Sequence, residues 1–147
     1  NAFETLKNFD QVDKNKTGAI GFCFGGKCAL DLARSGEDIK GVVSFHGLYD
    51  APTASTGKQF KGTLKIDSSI LILHGYDDPM ATPKSMIDLA DELNSKKAKW
   101  QIHAYGNVGH AFTNPEANQR ENGLFYDQYA DEHSWNEMKN FFSKLFL

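Results

Sequence analysis

The chain has little of what marks a disulfide scaffold, a metal knuckle, a membrane span or a nucleic-acid binder. Only Cys23 and Cys28 supply sulfur for crosslinks among the 147 residues. They lie five residues apart across an expected strand-to-helix turn, which suits a disulfide poorly. No second Cys/His pair stands at zinc-ligand spacing. A reducing, cytoplasmic setting is therefore expected. No apolar run approaches the roughly 20 residues of a membrane-spanning helix. No basic segment followed by an apolar stretch opens the chain, so no signal peptide is visible. Because Asn1 rather than Met opens it, upstream sequence is expected, and a signal there stays open. Lys and Arg number 16 against 19 Asp and Glu, for a net charge of −3 and a pI near 5.9. The cations are scattered among acids, so they read as a solvated mixed surface, not as a nucleic-acid face.

What is present is the composition of one soluble globular domain, 40% hydrophobic and 24% charged, with no internal repeat and no inner boundary over residues 1–147. Phe3, Leu6 and Phe9 fall at helical spacing and predict a first helix. Gly18–Phe22 is a short apolar run that predicts a buried strand, and Lys27–Arg34 predicts a helix after the Gly25-Gly26 break. Gly41–His46 and Ser69–His74 predict two more strands, separated by a long aperiodic loop, Gly47–Lys65. Met86, Leu89, Ala90 and Leu93 place one apolar face on a helix over Thr82–Asn94, with Pro83 in its first turn. Lys99–Tyr105 alternates, with Trp100, Ile102 and Ala104 in one phase. Gly106–Gln119 reads as loop. Asp131–Phe146 closes the chain as a helix with Trp135, Met138, Phe142 and Leu145 on one face. Continuous apolar strands alternating with helices predict an α/β fold, a mostly parallel sheet flanked by helices on both faces. In such sheets ligands sit beyond the carboxyl ends of the strands.

Three reactive side chains follow three of these strands. Cys23 sits between the first strand and its helix. Asp77 and Asp78 follow the strand ending at His74. His110 follows the strand ending at Tyr105. A thiol, a carboxylate and an imidazole at one sheet edge have the parts of an activated nucleophile: an attacker, a base, and an acid that orients the base. Gly21-Phe22-Cys23-Phe24-Gly25 is the most specific piece. A nucleophile between strand and helix, flanked by Gly21 and Gly25, is the pattern of a strained elbow in which small residues allow close packing. The positive end of the following helix favours negative charge on the sulfur. The amide of Phe24, the next residue, is then an oxyanion donor. Of the acids, Asp78, three residues after Gly75 and followed by Pro79, has the preferred spacing, with Asp77 as the alternative. Of the five histidines, His110 follows both nucleophile and acid in the chain, as the base of such a set should. His46 and His74 end strands and read either as pocket lining or as hydrogen-bonded strand-end residues. His103 and His133 read as surface residues. Cys28, inside a helix without a special turn, reads as an inert core cysteine.

These residues resemble the dienelactone hydrolase family, members of the α/β-hydrolase superfamily. The matching segments are Ile20-Gly21-Phe22-Cys23-Phe24-Gly25-Gly26, then Leu73-His74-Gly75-Tyr76-Asp77-Asp78-Pro79, then Gly109-His110-Ala111-Phe112-Thr113-Asn114-Pro115. The tail Tyr129-Ala130-Asp131-Glu132-His133-Ser134-Trp135 is also similar. The resemblance implies a carboxylic ester or lactone hydrolase in which Cys23 attacks the carbonyl, His110 handles the proton and Asp78 orients His110. It implies no metal and no organic cofactor. Two departures shape the expectation. The family's domain carries an N-terminal half before the elbow, with the first oxyanion loop and a Glu that engages the resting thiol. Here the elbow begins at Gly21, so a partial α/β-hydrolase fold with weak or no activity is expected. Members that cleave dienelactone hold its carboxylate partly with an Arg shortly after the catalytic His. The matching Phe112-Thr113-Asn114 has none, so a general ester substrate is the better expectation.

With that half missing, the edge of Gly18–Phe22 would be bare and apolar, a template for self-association. Two competing readings accompany the hydrolase. In one, the chain is a non-catalytic binding module that keeps only the fold, and the three side chains would fail to converge. In the other, Cys23 and Cys28 form a redox pair and would close an intramolecular disulfide on oxidation.

Overall fold

In the computed structural model, residues 2–50 and 65–147 are described. Among them four strands form one all-parallel sheet in sequential order: β1 (Gly18–Phe22), β2 (Gly41–Phe45), β3 (Ser69–Gly75) and β4 (Lys99–Tyr105). Phe22, Phe45, Leu73 and His103 share one register row, so the carboxyl ends line up along a single edge. The central strands are apolar throughout because helices cover both their faces. On one side Val42, Ile70 and Ile72 meet Leu30 of α2 (Phe24–Arg34) and Leu89 and Leu93 of α3 (Pro83–Ser95). On the other, Val43, Phe45, Leu71 and Leu73 meet Met138, Phe141 and Phe142 of α4 (Gln128–Leu145). β1 and β4 are edges. The outer side of β1 has no strand neighbour among the described residues, and Ile20 and Phe22 are 46% and 40% exposed.

Several boundaries differ from expectation, each for a local reason. α2 begins at Phe24, not Lys27, because Gly25 and Gly26 form its first turn instead of a break. α4 begins at Gln128, not Asp131. Asp127 caps it by accepting from the Ala130 amide at 2.8 Å, a role that needs only one short acceptor at the right place. The first helix, α1 (Ala2–Lys7), stops before Phe9, which is 55% exposed; only Phe3 of its apolar set is buried. Ala104 is exposed despite its phase, because β4 is an edge strand. Trp135 leans toward Phe45, with ring centroids 6.3 Å apart, yet stays 45% exposed. Near the end of the expected Gly106–Gln119 loop a small antiparallel pair appears, β5 (Asn118–Gln119) with β6 (Leu124–Phe125). Most of the predicted loop Gly47–Lys65, residues 51–64, lies outside the described residues.

One cation departs from the solvated surface expected of the charged residues. Arg34 is 1% exposed and donates to both carboxylate oxygens of Glu92 on α3, at 3.0 and 2.5 Å. It also donates to Asp31 at 2.9 Å and to the Tyr49 carbonyl at 2.7 Å. The guanidinium thus joins α2, α3 and the chain leaving β2. Removing one partner from a buried pair leaves the other charge uncompensated. Arg34→Ala is expected to lower the unfolding free energy by about 3 kcal/mol in urea denaturation. A loss below about 1 kcal/mol would show that water screens the pair as it does at the surface.

Candidate active site

Cys23 stands between β1 and α2 with φ 53° and ψ −118°, a conformation that L-residues avoid. Its amide donates to the Phe45 carbonyl at 3.0 Å, and its carbonyl accepts from Gly26 at 3.0 Å. The backbone on both sides thus holds the strained residue. Which glycines permit this differs from expectation. A Cβ on Gly21 would lie 2.0 Å from the Gly25 carbonyl oxygen, and one on Gly26 would lie 2.5 Å from Ser44 Oγ and 3.0 Å from Gly47 Cα. A Cβ on Gly25 meets nothing within 4 Å. The close approach of strand and helix therefore depends on Gly21 and Gly26, not on Gly25.

Asp78 and His110 reach Cys23 from the loops after β3 and β4. Those loops touch at Gly75, where a Cβ would lie 2.3 Å from the Gly109 carbonyl oxygen. Asp78 is 2% exposed. Its Oδ1 accepts from the amides of Met80 and Ala81 at 2.8 and 3.2 Å, which fixes the carboxylate plane. Its Oδ2 accepts from His110 Nδ1 at 2.7 Å. The other ring nitrogen, Nε2, is 3.0 Å from Cys23 Sγ. Asp77, the alternative acid, is exposed and its side chain plays no part in this chain of bonds. The His110 backbone is held by its amide on Gly123 O at 2.7 Å and its carbonyl on Phe125 N at 3.2 Å. This is the work of the unforeseen β6 segment. Phe24 is 65% exposed, and as the first residue of α2 its amide has no intrahelical acceptor. That amide belongs to the residue after Cys23 and stands at the positive end of the helix.

Burial by itself would depress the basicity of His110. Its bonds with Asp78 and Cys23 outweigh burial and raise its pKa above the ordinary imidazole value. His46 behaves oppositely. It is 4% exposed, and burial, reinforced by the neighbouring His110, lowers its pKa to about 4. Its ring meets His110 edge-on at 5.0 Å, and its Nε2 pairs with Thr113 Oγ1 at 2.9 Å. His74 is fully buried and pairs through Nδ1 with the Tyr49 hydroxyl at 2.7 Å, and burial lowers its pKa as well. Of the two readings held for these strand-end residues, His74 is the hydrogen-bonded core histidine, and His46 adjoins the candidate triad. His103 and His133 are half-buried rather than freely solvated, and the Tyr105 hydroxyl pairs with His133 at 3.1 Å. Cys28 corrects its expectation: α2 turns it outward, and it is an exposed free thiol. Cys23 is also free. Thr113 was read only as part of the stretch that lacks an Arg, since nothing in the sequence distinguishes one hydroxyl in a polar loop as a partner of His46.

The dienelactone hydrolase family model matches residues 1–146. The chain belongs to the dienelactone hydrolase family. It is 34% identical over 147 residues to an uncharacterised protein of Caenorhabditis elegans, covering 99% of this chain and 90% of that protein. A solved dienelactone hydrolase-like promiscuous phosphotriesterase, P91, from metagenomic libraries is 39% identical, with a TM-score of 0.83 over 98% of this chain. The solved protein named m3DLH is 33% identical with a TM-score of 0.84. The chain spans 58% of each of those two solved chains, and 47% of a carboxymethylenebutenolidase-like protein of Escherichia coli to which it is 25% identical. The fold is thus that of the α/β-hydrolases, and the family is one of hydrolases. Among the described residues no helix is long and apolar enough to cross a membrane.

Two outcomes follow from the site. The first concerns the glycines. Gly25→Ala should change stability by less than about 1 kcal/mol, whereas Gly26→Ala should markedly lower the melting temperature. Equal effects in thermal denaturation would contradict the packing of the elbow. The second concerns acid. The folded chain holds His46 neutral, so its contribution to stability is complete above the unfolded value near 6.5 and is lost as pH falls toward about 4. His74 acts in the same sense. The raised His110 acts oppositely: its contribution is complete in acid and fades as pH rises through its folded value. Urea unfolding between pH 6.5 and pH 4.5 should show a loss of up to about 1.4 kcal/mol per unit for His46, and His46→Phe should flatten it. An unchanged slope in that variant would contradict the buried neutral state.

Proposed function

We propose that the chain hydrolyses carboxylic esters or lactones through Cys23 as nucleophile, His110 as general base and acid, and Asp78 as the group that orients His110. The observation that carries this reading is the continuous bonding of Cys23 Sγ to His110 Nε2 at 3.0 Å and of His110 Nδ1 to Asp78 Oδ2 at 2.7 Å. Both distances fit proton transfer without rearrangement. In the first step the thiol proton passes to Nε2 while sulfur attacks the carbonyl carbon. The tetrahedral oxyanion faces the Phe24 amide. Collapse expels the alcohol, which takes the proton from Nε2, and leaves a thioester on Cys23. Water then gives a proton to Nε2 and attacks the thioester, and the acid leaves as sulfur recovers its proton. Asp78 stays ionised throughout. It holds the tautomer in which Nδ1 carries the proton and steadies the transient imidazolium. Each such oxyanion donor is worth on the order of a hundredfold in rate. No step calls on a metal or cofactor.

Phosphotriesters form a second substrate class worth equal attention. The P91 relative is described as a promiscuous phosphotriesterase, and it is 39% identical over 98% of this chain. The same thiol attack at phosphorus would expel the same leaving alcohol. The lack of an Arg in Phe112-Thr113-Asn114, shortly after His110, favours neutral substrates of either kind over a carboxylate-bearing lactone.

The test is hydrolysis of p-nitrophenyl acetate and of a p-nitrophenyl dialkyl phosphate. Slow turnover of the acetate is expected, abolished by Cys23→Ala and lowered a hundredfold or more by Asp78→Asn. Turnover that survives Cys23→Ala would remove Cys23 from the mechanism.

A further inference from the structure

His46 is a costly residue where it stands. It follows the last residue of β2 with φ 36°, in the left-handed region where Gly or Asn would sit with less strain. It is 4% exposed, and its Nδ1 is buried with no hydrogen-bond partner among the described residues. Gly would sit here with less strain, so the contacts of the imidazole are what can offset it.

Its contacts point to one task. The ring packs edge-on against His110 at 5.0 Å and against Phe112 at 5.1 Å, on either side of Ala111. Its Nε2 pairs with Thr113 Oγ1 at 2.9 Å. Ala111, between His110 and Phe112, is itself left-handed at φ 60°. The catalytic loop thus leaves β4, bends at a strained residue, and is held on its backbone side by the Gly123 carbonyl, the Phe125 amide and the Asp127 amide. On the side of β2, His46 contacts the loop on both sides of Ala111, at His110, Phe112 and Thr113, while Phe112 also joins the cluster that holds Val43 and Phe45. The His46 amide donates to the Leu73 carbonyl at 2.8 Å, so the ring is anchored to the two central strands. A base must be aligned on both its acid and its nucleophile, and small misplacements cost much rate.

We infer that His46, through its ring contact with His110 and its bond to Thr113, is a positioning residue that holds the His110 imidazole in line between Asp78 and Cys23. This rests on the triad proposed above. The charged and titratable groups that bear on His46 are His110 and Asp78. At neutral pH His46 carries no charge, so it aligns His110 without opposing the imidazolium that forms when Cys23 gives up its proton.

The experiment compares His46→Phe, His46→Gln and Thr113→Val with the unaltered chain and with Cys23→Ala. Thr113 is half-buried in a loop, so Thr113→Val keeps the test open if His46→Phe folds poorly. Three measurements are made: kcat and KM for p-nitrophenyl acetate, the His110 imidazole titration by NMR, and the rate of alkylation of Cys23 by iodoacetamide at pH 7. Exposed Cys28 serves as the internal reference in the last. His46→Phe and Thr113→Val are each expected to lower kcat about tenfold with KM changed less than about twofold, and to move the His110 midpoint down toward 6.5. Cys23 alkylation should slow several-fold while Cys28 alkylation holds. His46→Gln, which places an amide near the Nε2 position, should recover most of kcat. The double variant His46→Phe with Thr113→Val should be no worse than the worse single one. If Cys23→Ala is inactive while His46→Phe and Thr113→Val keep the wild-type kcat, His110 midpoint and Cys23 alkylation rate, the positioning role is wrong and the triad stands. If Cys23→Ala keeps full activity, the triad itself fails.

Discussion

The backbone of Cys23 is the constraint on which the site depends. A residue at φ 53° between a buried strand and a helix persists only if its surroundings leave no alternative. Those surroundings are the Phe45 carbonyl on one side, the first turn of α2 on the other, and the absence of side chains at Gly21 and Gly26. The bend ends the strand, starts the helix and aims a thiol outward from the sheet edge in one residue. The Phe24 amide opens that helix as the next residue in the chain. The proposed nucleophile and the proposed oxyanion donor would thus share one local geometry.

The parallel sheet converts this local feature into a site. Because all four described strands point the same way, the loops after β1, β3 and β4 meet beyond the same edge of the sheet. Asp78 and His110 are 32 residues apart in the chain, and His110 is 87 from Cys23, yet one unbroken line of hydrogen bonds joins them. The helices make this possible by burying both faces of β2 and β3. Arg34, joining α2, α3 and the exit of β2, fixes the layer on which the elbow rests. Stability and site are thus linked through the same elements.

Much of this was legible in the amino-acid order, and what was not has identifiable causes. The strands were readable because covered parallel strands are apolar throughout. The meeting of Cys23, Asp78 and His110 was readable because each follows a strand and a turn. The start of α2 was misread because Gly-Gly ordinarily breaks a helix, whereas here close packing against Ser44 and Gly47 demands a missing side chain. Cys28 was misread because burial within an amphipathic helix depends on which face meets the sheet, and α2 buries Ala29, Leu30 and Ala33 instead. Arg34 was read as solvated because nothing local marks its partner Glu92, 58 residues away. His46 and Thr113 come together only when β2 and the loop bearing His110 are adjacent, and no spacing rule links positions 67 residues apart.

Hydrolysis through Cys23 requires a covalent acyl intermediate on its sulfur. Peptide mass spectrometry after brief acid quench of the chain with p-nitrophenyl acetate detects it. An acetyl mass is expected on the peptide bearing Cys23, removable by hydroxylamine as a thioester is, absent in His110→Ala and absent from Cys28. Release of p-nitrophenol with no acyl group on Cys23 at any quench time, or with the acyl group confined to Cys28, would contradict it.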